Sequence, residues 1–159
     1  VDMTPEMVDK ARDDLPGKFD SLINFHVGNG EYLDWGDNHF DVVASSFTLR
    51  NVGNLPGVIS EMRRVVKPEG WVYSLELSKP TIPVFKELYF LYFNNFLPFV
   101  GGFLQGQKEP YRYLTESLKK FPDQDKLKEI FECAELKDVE YRELFGGIAT
   151  IHQGMKLEK

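Results

Sequence analysis

The 159 residues suffice for one domain with a sizeable core, and 42% hydrophobic against 28% charged residues exclude a disordered chain. A net charge of −6, from 19 Lys and Arg against 25 Asp and Glu with no basic block, excludes the usual nucleic-acid-binding surface. The single Cys133 excludes an internal disulfide and a cysteine metal cluster; no metal site is expected, and a reducing, cytoplasmic compartment fits.

The opening Val1-Asp2-Met3-Thr4 has no basic run followed by an apolar one, so no secretory leader is expected there. Thr4-Pro5 reads as an N-cap with proline at the first helical position, predicting a helix over 5–14 that stops near Pro16-Gly17. Residues 21–27 read as a short strand and 28–38 as a turn-rich loop. The run FDVVASS, residues 40–46, reads as a buried parallel strand. Leu55, Val58, Ile59, Met62, Val65 and Val66 recur at helical spacing, with Pro68-Glu69-Gly70 as the stop and residues 71–77 as the next strand.

Residues 82–104 are the most apolar stretch, but Pro83, Lys86, Glu87, Asn94, Asn95 and Pro98 interrupt it, so it is no membrane span. Within it Phe85, Leu88, Tyr89, Tyr92, Phe93 and Phe96 follow the helical period. That stripe suits a core helix, or alternatively a face for an apolar tail or a membrane. Helices are expected over 113–120 and around Leu127, Ile130, Phe131 and Ala134. Strands 139–145 and 148–155 flank Gly146-Gly147, which predicts a tight hairpin. Alternating helix and strand imply an α/β fold built on a parallel sheet, closed here by an antiparallel pair.

In doubly wound sheets ligands bind at the carboxyl ends of strands, where an acidic residue receives ribose hydroxyls. Asp2, just before a capped helix, occupies such a position, although a solvated terminal aspartate looks the same. Asn29-Gly30 follows the 21–27 strand, where a small pair lets the backbone approach an adenine edge; Asn-Gly also favours plain turns. Ser46 to Val52 follows the FDVVASS strand. There Arg50, a fixed cation with a planar donor fork, either stabilises an anion or forms a structural ion pair.

Taken in order, these pieces resemble the family that C-methylates ubiquinone and menaquinone precursors, the UbiE/MenG type. The resemblance runs through Asn29-Gly30-Glu31, Asp37-Asn38-His39-Phe40-Asp41, Ser46-Phe47-Thr48-Leu49-Arg50-Asn51-Val52 and Arg64-Val65-Val66-Lys67-Pro68-Glu69-Gly70. It continues through Leu75-Glu76-Leu77-Ser78-Lys79-Pro80, Tyr111-Arg112-Tyr113-Leu114, Glu116-Ser117, Phe121-Pro122 and Gly147-Ile148-Ala149-Thr150-Ile151-His152, and so covers essentially the whole chain. Thr48 and Glu69 stand where the family usually has glycine, and Asp34 where it has proline.

The resemblance implies a class I, Rossmann-like methyltransferase sheet with a C-terminal antiparallel hairpin. It implies S-adenosylmethionine as cofactor, held by Asp2, Asn29, Gly30 and Ser46. It further implies that the strand, glycine-rich turn and first helix that cradle the cofactor lie outside residues 1–159, leaving one N-terminally incomplete domain. The open strand edge would then invite a homodimer. The substrate implied is a polyprenylated quinol, met in the cytoplasm by peripheral contact with the inner membrane. Arg50 would stabilise the phenolate, His152 is a candidate general base or a satisfied sheet histidine, and Tyr111 and Tyr113 line the ring pocket or pack as a lid. The rival expectation is a catalytically silent module of the same fold that binds lipid or a partner.

Overall fold

A computed structural model describes residues 1–19, 21–83, 87, 89, 91 and 109–158. Helix α1 spans Pro5–Asp13, with Pro5 in its first turn as expected. Thr4 sits at the N-cap without a side-chain hydrogen bond to the helix; the end is fixed two residues earlier, where Asp2 Oδ1 accepts from Thr4 N at 2.8 Å. Strand β1, Phe40–Ser46, coincides with the FDVVASS run but is not the buried strand expected: it lies at an edge of the sheet, and each of its residues is half-buried or exposed.

Helix α2, Leu55–Val65, is capped by Asn54, whose side chain accepts from Gly57 N. It buries Val58, Ile59, Met62 and Val65 on one face. Strand β2 then begins at once, at Val66, and runs to Leu77. The expected stop at Pro68-Glu69-Gly70 is therefore not what ends α2: the helix is over by Val65, and the proline triplet lies inside β2. There it makes an irregularity in the ladder, whose register jumps from Phe40↔Val66 to Val42↔Trp71. A bulge tolerates proline because the missing N–H is not needed. Glu69 takes the left-handed φ of 61°, which accounts for glycine being usual there. Gly70 has no room for a side chain, since a Cβ would stand 2.6 Å from the Asp41 carbonyl oxygen.

Helix α3 spans Glu109–Lys120, four residues longer at its start than the periodicity indicates, and α4 spans Gln124–Cys133. Asp123 caps α4 by accepting from Lys126 N, and Lys79 Nζ donates to the Phe121 carbonyl at 2.7 Å just beyond the end of α3. Strands β3, Lys137–Leu144, and β4, Ala149–Met155, form the expected antiparallel pair. Their turn is wider than a two-residue hairpin: Phe145, Gly146 and Gly147 all have positive φ, and Gly147 passes against Pro80. The aromatic stripe over 85–96 falls for the most part outside the described residues.

The strands lie in the order β1-β2-β4-β3, with β2 parallel to β1 and antiparallel to β4. Val72, Ser74 and Glu76 of β2 and Thr150, His152 and Gly154 of β4 share one buried face. Ile59, Met62, Leu127, Phe131, Leu136 and Val139 pack with Val72 in the core on that side. Fully burying a side chain such as Ile59 or Phe131 contributes about 1.5–3 kcal/mol. On the other face Trp71, Tyr73, Leu75, Ile151 and Met155 are half-buried, and Val42 is 53% exposed.

The strand expected over 21–27 is corrected. Only Val27 pairs, in an isolated parallel bridge with Asp2, through Asp2 N to His26 O and Gly28 N to Asp2 O. A strand needs a neighbour along its length. Asp2 is the bridging residue on that side, and the chain turns into α1 three residues later.

Candidate functional site

The loop beyond β1 is built by an overhang. The parallel ladder places Ser46 beside Leu75, and Phe47 N extends it by donating to Leu75 O at 2.8 Å. Strand β2 continues past this point, and Phe47, at a φ of 55°, turns the chain back over Glu76. Glu76 is 1% exposed and uses both carboxylate oxygens. Oε1 accepts from Leu49 N at 2.6 Å, and Oε2 accepts from Arg50 Nη1 at 3.0 Å. Burial pushes the Glu76 carboxyl above its usual range, against the opposing pulls of Leu49 N–H and the Arg50 guanidinium. Arg50 lies over the Phe47 ring at 5.7 Å, and its Nε is buried without a partner among the described residues.

Tyr113, on α3, donates from its hydroxyl to Asn51 Oδ1 at 2.9 Å while its ring stays 58% exposed. The structure thus brings Arg50 and Tyr113 onto one short turn, Leu49–Asn51. The side chain of Tyr111 lies outside the described residues. Ser46 is exposed at the end of β1, and its carbonyl accepts from Thr48 Oγ1.

Asp2, Asn29 and Gly30 form a second group. The Asp2–Val27 bridge sets Asp2 beside the chain that leads into Asn29, and Asn29 Oδ1 accepts from Glu31 N at 2.9 Å in an Asx turn. Helix α2 holds this loop at several points. Glu31 Oε1 accepts from Asn54 N, Glu61 Oε1 accepts from Leu33 N, and Arg64 donates to Leu33 O and to the carboxylates of Glu61 and Asp37. The Arg64 hydrogen bonds hold both carboxyls below their ordinary values and raise the guanidinium's own. A cavity of about 190 Å³ adjoins, lined by Val1, His26, Val27, Gly28, Tyr32, Leu33, Asp34 and Trp35.

The adenosine half of a nucleoside cofactor fits these residues. A carboxylate is fixed at the start of a helix, a small Asx turn approaches by its backbone, and a cavity with aromatic walls stands beside them. Among the described residues, no group of three or more His, Cys, Asp and Glu side chains could hold a metal ion.

His152 is placed apart from the Arg50 turn, opposite Ser74 in the β2–β4 ladder and beneath α4. It is 1% exposed, its Nε2–H donates to Gln124 O at 2.9 Å, and its ring lies against Phe131 and Tyr141. Burial lowers its pKa, opposed by the Gln124 hydrogen bond. Those are the surroundings of a core histidine.

The residue that sequence reasoning missed is Glu76. Its signal was present: an acidic side chain within Trp71-Val72-Tyr73-Ser74-Leu75-Glu76-Leu77, on the same alternation as Val72. A carboxylate at such a position must find partners or lose its charge.

Residues 1–156 match the ubiE/COQ5 methyltransferase family. The chain is 40% identical over 156 residues to a demethylmenaquinone methyltransferase of Shouchella clausii, covering 98% of this chain and 66% of that protein. It is 39% identical over 157 residues to a ubiquinone/menaquinone biosynthesis C-methyltransferase UbiE of Stutzerimonas stutzeri, covering 98% and 61%. The chain therefore spans somewhat under two thirds of the length of these relatives. A SAM-dependent methyltransferase from Thermotoga maritima shares the fold, with a TM-score of 0.67 at 13% identity over 97% of this chain and 70% of that one. An unbroken match from residue 1 to residue 156, on a mixed sheet of this topology, makes the chain a member of the ubiE/COQ5 methyltransferase family.

Proposed function

We propose that the protein carrying this chain transfers a methyl group from S-adenosylmethionine to a ring carbon of a polyprenylated quinol, demethylmenaquinol or a related benzoquinol. The observation that carries the proposal is the Leu49–Asn51 turn at the carboxyl end of β1, where Arg50 is anchored on buried Glu76 and Tyr113 closes onto Asn51. The names of the relatives support the same reading.

When bound, S-adenosylmethionine supplies an electrophilic methyl on a sulfonium centre. Asp2 would receive the ribose hydroxyls, Asn29 and Gly30 would hold the adenine edge, and Ser46 would add a further contact to the cofactor. A ring carbon attacks well only when the phenol beside it carries negative charge. Arg50 stabilises that charge: it has five N–H donors and gives one to Glu76, so further donors remain for a phenolate oxygen. Tyr113 offers its exposed ring to the acceptor while its hydroxyl keeps Asn51 in place. Among the described residues no helix is long and apolar enough to cross a membrane. The polyprenyl tail assigns the work to peripheral contact with the inner membrane from the cytoplasm, within a single methyltransferase domain.

The native-length protein, given methyl-labelled S-adenosylmethionine and a short-chain demethylmenaquinol, is expected to release a C-methylated product. Label found only on an oxygen or an amine acceptor overturns the proposal.

His152 serves the fold in this reading rather than the proton transfer. Its folded pKa lies below the unfolded one, so the unfolded chain takes the proton first. Stability is therefore complete above about pH 6.5 and declines as the pH falls through that value. Denaturant midpoints of the native-length protein at pH 8 and pH 5.5 measure the decline, which His152→Leu should flatten. The kcat per folded molecule of His152→Leu is expected to stay within about threefold of the parent, far from the roughly 10²–10⁴-fold contribution of a general base. A larger loss with an intact fold makes His152 the base.

A further inference from the structure

We infer that Glu76 is the positioning residue of the reaction, the group that holds Arg50 in its working orientation. The inference rests on the proposed role of Arg50.

A carboxylate on the inward face of a strand is costly unless both oxygens are satisfied. Here the two oxygens are spent on consecutive residues of one turn, the backbone N–H of Leu49 and the guanidinium of Arg50. The neighbours on the same face do not compete for it. Thr150, opposite Glu76 in the ladder, and Ser74, two residues earlier, have buried hydroxyls without partners among the described residues. Leu49, whose amide Glu76 binds, is itself 2% exposed. In this low-dielectric pocket Glu76 takes no part in binding solvent, and its contacts run to the Arg50 turn.

The geometry makes the turn depend on β2 rather than on its own sequence. Among the described residues no side-chain cap stabilises Leu49–Asn51 at Thr48. The Leu49 amide is oriented by Oε1, and the Arg50 fork by Oε2, so one rigid strand residue sets both the backbone and the cation. Arg50 Nε, buried and unpartnered, leaves the fork no second anchor at that nitrogen. Loss of Oε2 as an acceptor frees the guanidinium to turn away from the acceptor ring while leaving the cofactor-holding group at Asp2 and Asn29 untouched. Glu76 acts through Arg50 and touches neither substrate nor cofactor.

The test uses the native-length protein with S-adenosylmethionine and a short-chain demethylmenaquinol. Glu76→Gln keeps the shape and one carbonyl oxygen for Leu49 N–H, but turns an amide donor towards Arg50 Nη1. The expected result is a kcat lowered roughly hundredfold, as misplacing a catalytic group does. KM for the quinol should change less than kcat, and cofactor affinity should hold within about twofold. Combined with Arg50→Lys, the loss should fall well short of the product of the two single losses. Unchanged kcat per folded molecule in Glu76→Gln, alongside an inactive Arg50→Lys, overturns the positioning role and leaves the role of Arg50 standing. Full activity in Arg50→Lys and in Arg50→Ala removes the reading on which the inference rests. If Glu76→Gln does not fold, Glu76→Asp, one methylene shorter with its charge kept, is read the same way: a fall in kcat supports the inference and an unchanged kcat overturns it.

Discussion

Arg50→Ala in the native-length protein is expected to lower methyl transfer by roughly a hundredfold or more while leaving cofactor affinity within about twofold. Loss of one preorganised donor aimed at a developing oxyanion costs about that much. Arg50 is 13% exposed at its side chain and bound to Glu76 Oε2, so its position is set before substrate arrives. The Asn29–Leu33 loop proposed to hold the adenosine half is tied to α2 instead, through Glu31, Glu61 and Arg64, and shares none of these contacts with Arg50; of the proposed cofactor residues Ser46 lies beside the Arg50 turn. The substitution also strands a buried carboxylate. Stability should therefore fall together with activity, by an amount on the order of 3–5 kcal/mol for a broken buried pair. Turnover must be measured per folded molecule, with kcat and the thermal midpoint taken on the same preparation. A lowered midpoint with full kcat per folded molecule would make Arg50 purely structural. Adding Glu76→Gln to Arg50→Ala should restore the thermal midpoint, because the stranded charge is then gone, while kcat per folded molecule stays as low as in Arg50→Ala alone.

A polypeptide of these 159 residues alone is expected to bind S-adenosylmethionine only near the millimolar range and to associate with itself. Asp2 and the Asn29-Gly30 turn are present for the adenosine half. No glycine-rich turn of the kind the family resemblance implies stands among residues 1–159, and the backbone N–H groups of such a turn would approach the methionine half. Two or three lost hydrogen bonds cost on the order of 2–4 kcal/mol, which carries a micromolar site towards millimolar. Strand β1 forms one edge of the sheet, and Val42 on it is 53% exposed. An unpaired strand edge of this kind is open to pairing with another chain. Calorimetric titration with the cofactor and solution mass, taken on this polypeptide and on the native-length protein, measure both effects. Micromolar binding by a clean monomer would falsify the expectation and mean that residues 1–159 complete the site unaided.

Much of the fold was legible in the residues. FDVVASS delimits β1, the spacing of Val58, Ile59, Met62 and Val65 delimits the buried face of α2, and the glycine pair at 146–147 marks the β3–β4 turn. These are local signals, set by periodicity and by turn chemistry. Two elements were misread for the same reason. Pro68-Glu69-Gly70 looks like a helix stop, yet the ladder to β1 absorbs it as a bulge; residues 21–27 look like a strand, yet only Val27 finds a partner. Pairing decides both, and pairing is not a local property.

The site divides along the same line. The sequence by itself determined the family resemblance, the positions of Asp2, Asn29, Gly30, Ser46, Arg50 and Tyr113, and the cation's place just beyond a parallel strand. Only the tertiary structure decided what those residues face. It set Arg50 on Glu76, joined Tyr113 to Asn51 across 62 positions of chain, and put His152 under α4 against Gln124 O. The physical reason is that a side chain's role here depends on its partner's charge and burial. Glu76 stands 26 residues from Arg50 and meets it because β2 runs two residues beyond its last pair with β1, Ser46↔Leu75, in a parallel ladder.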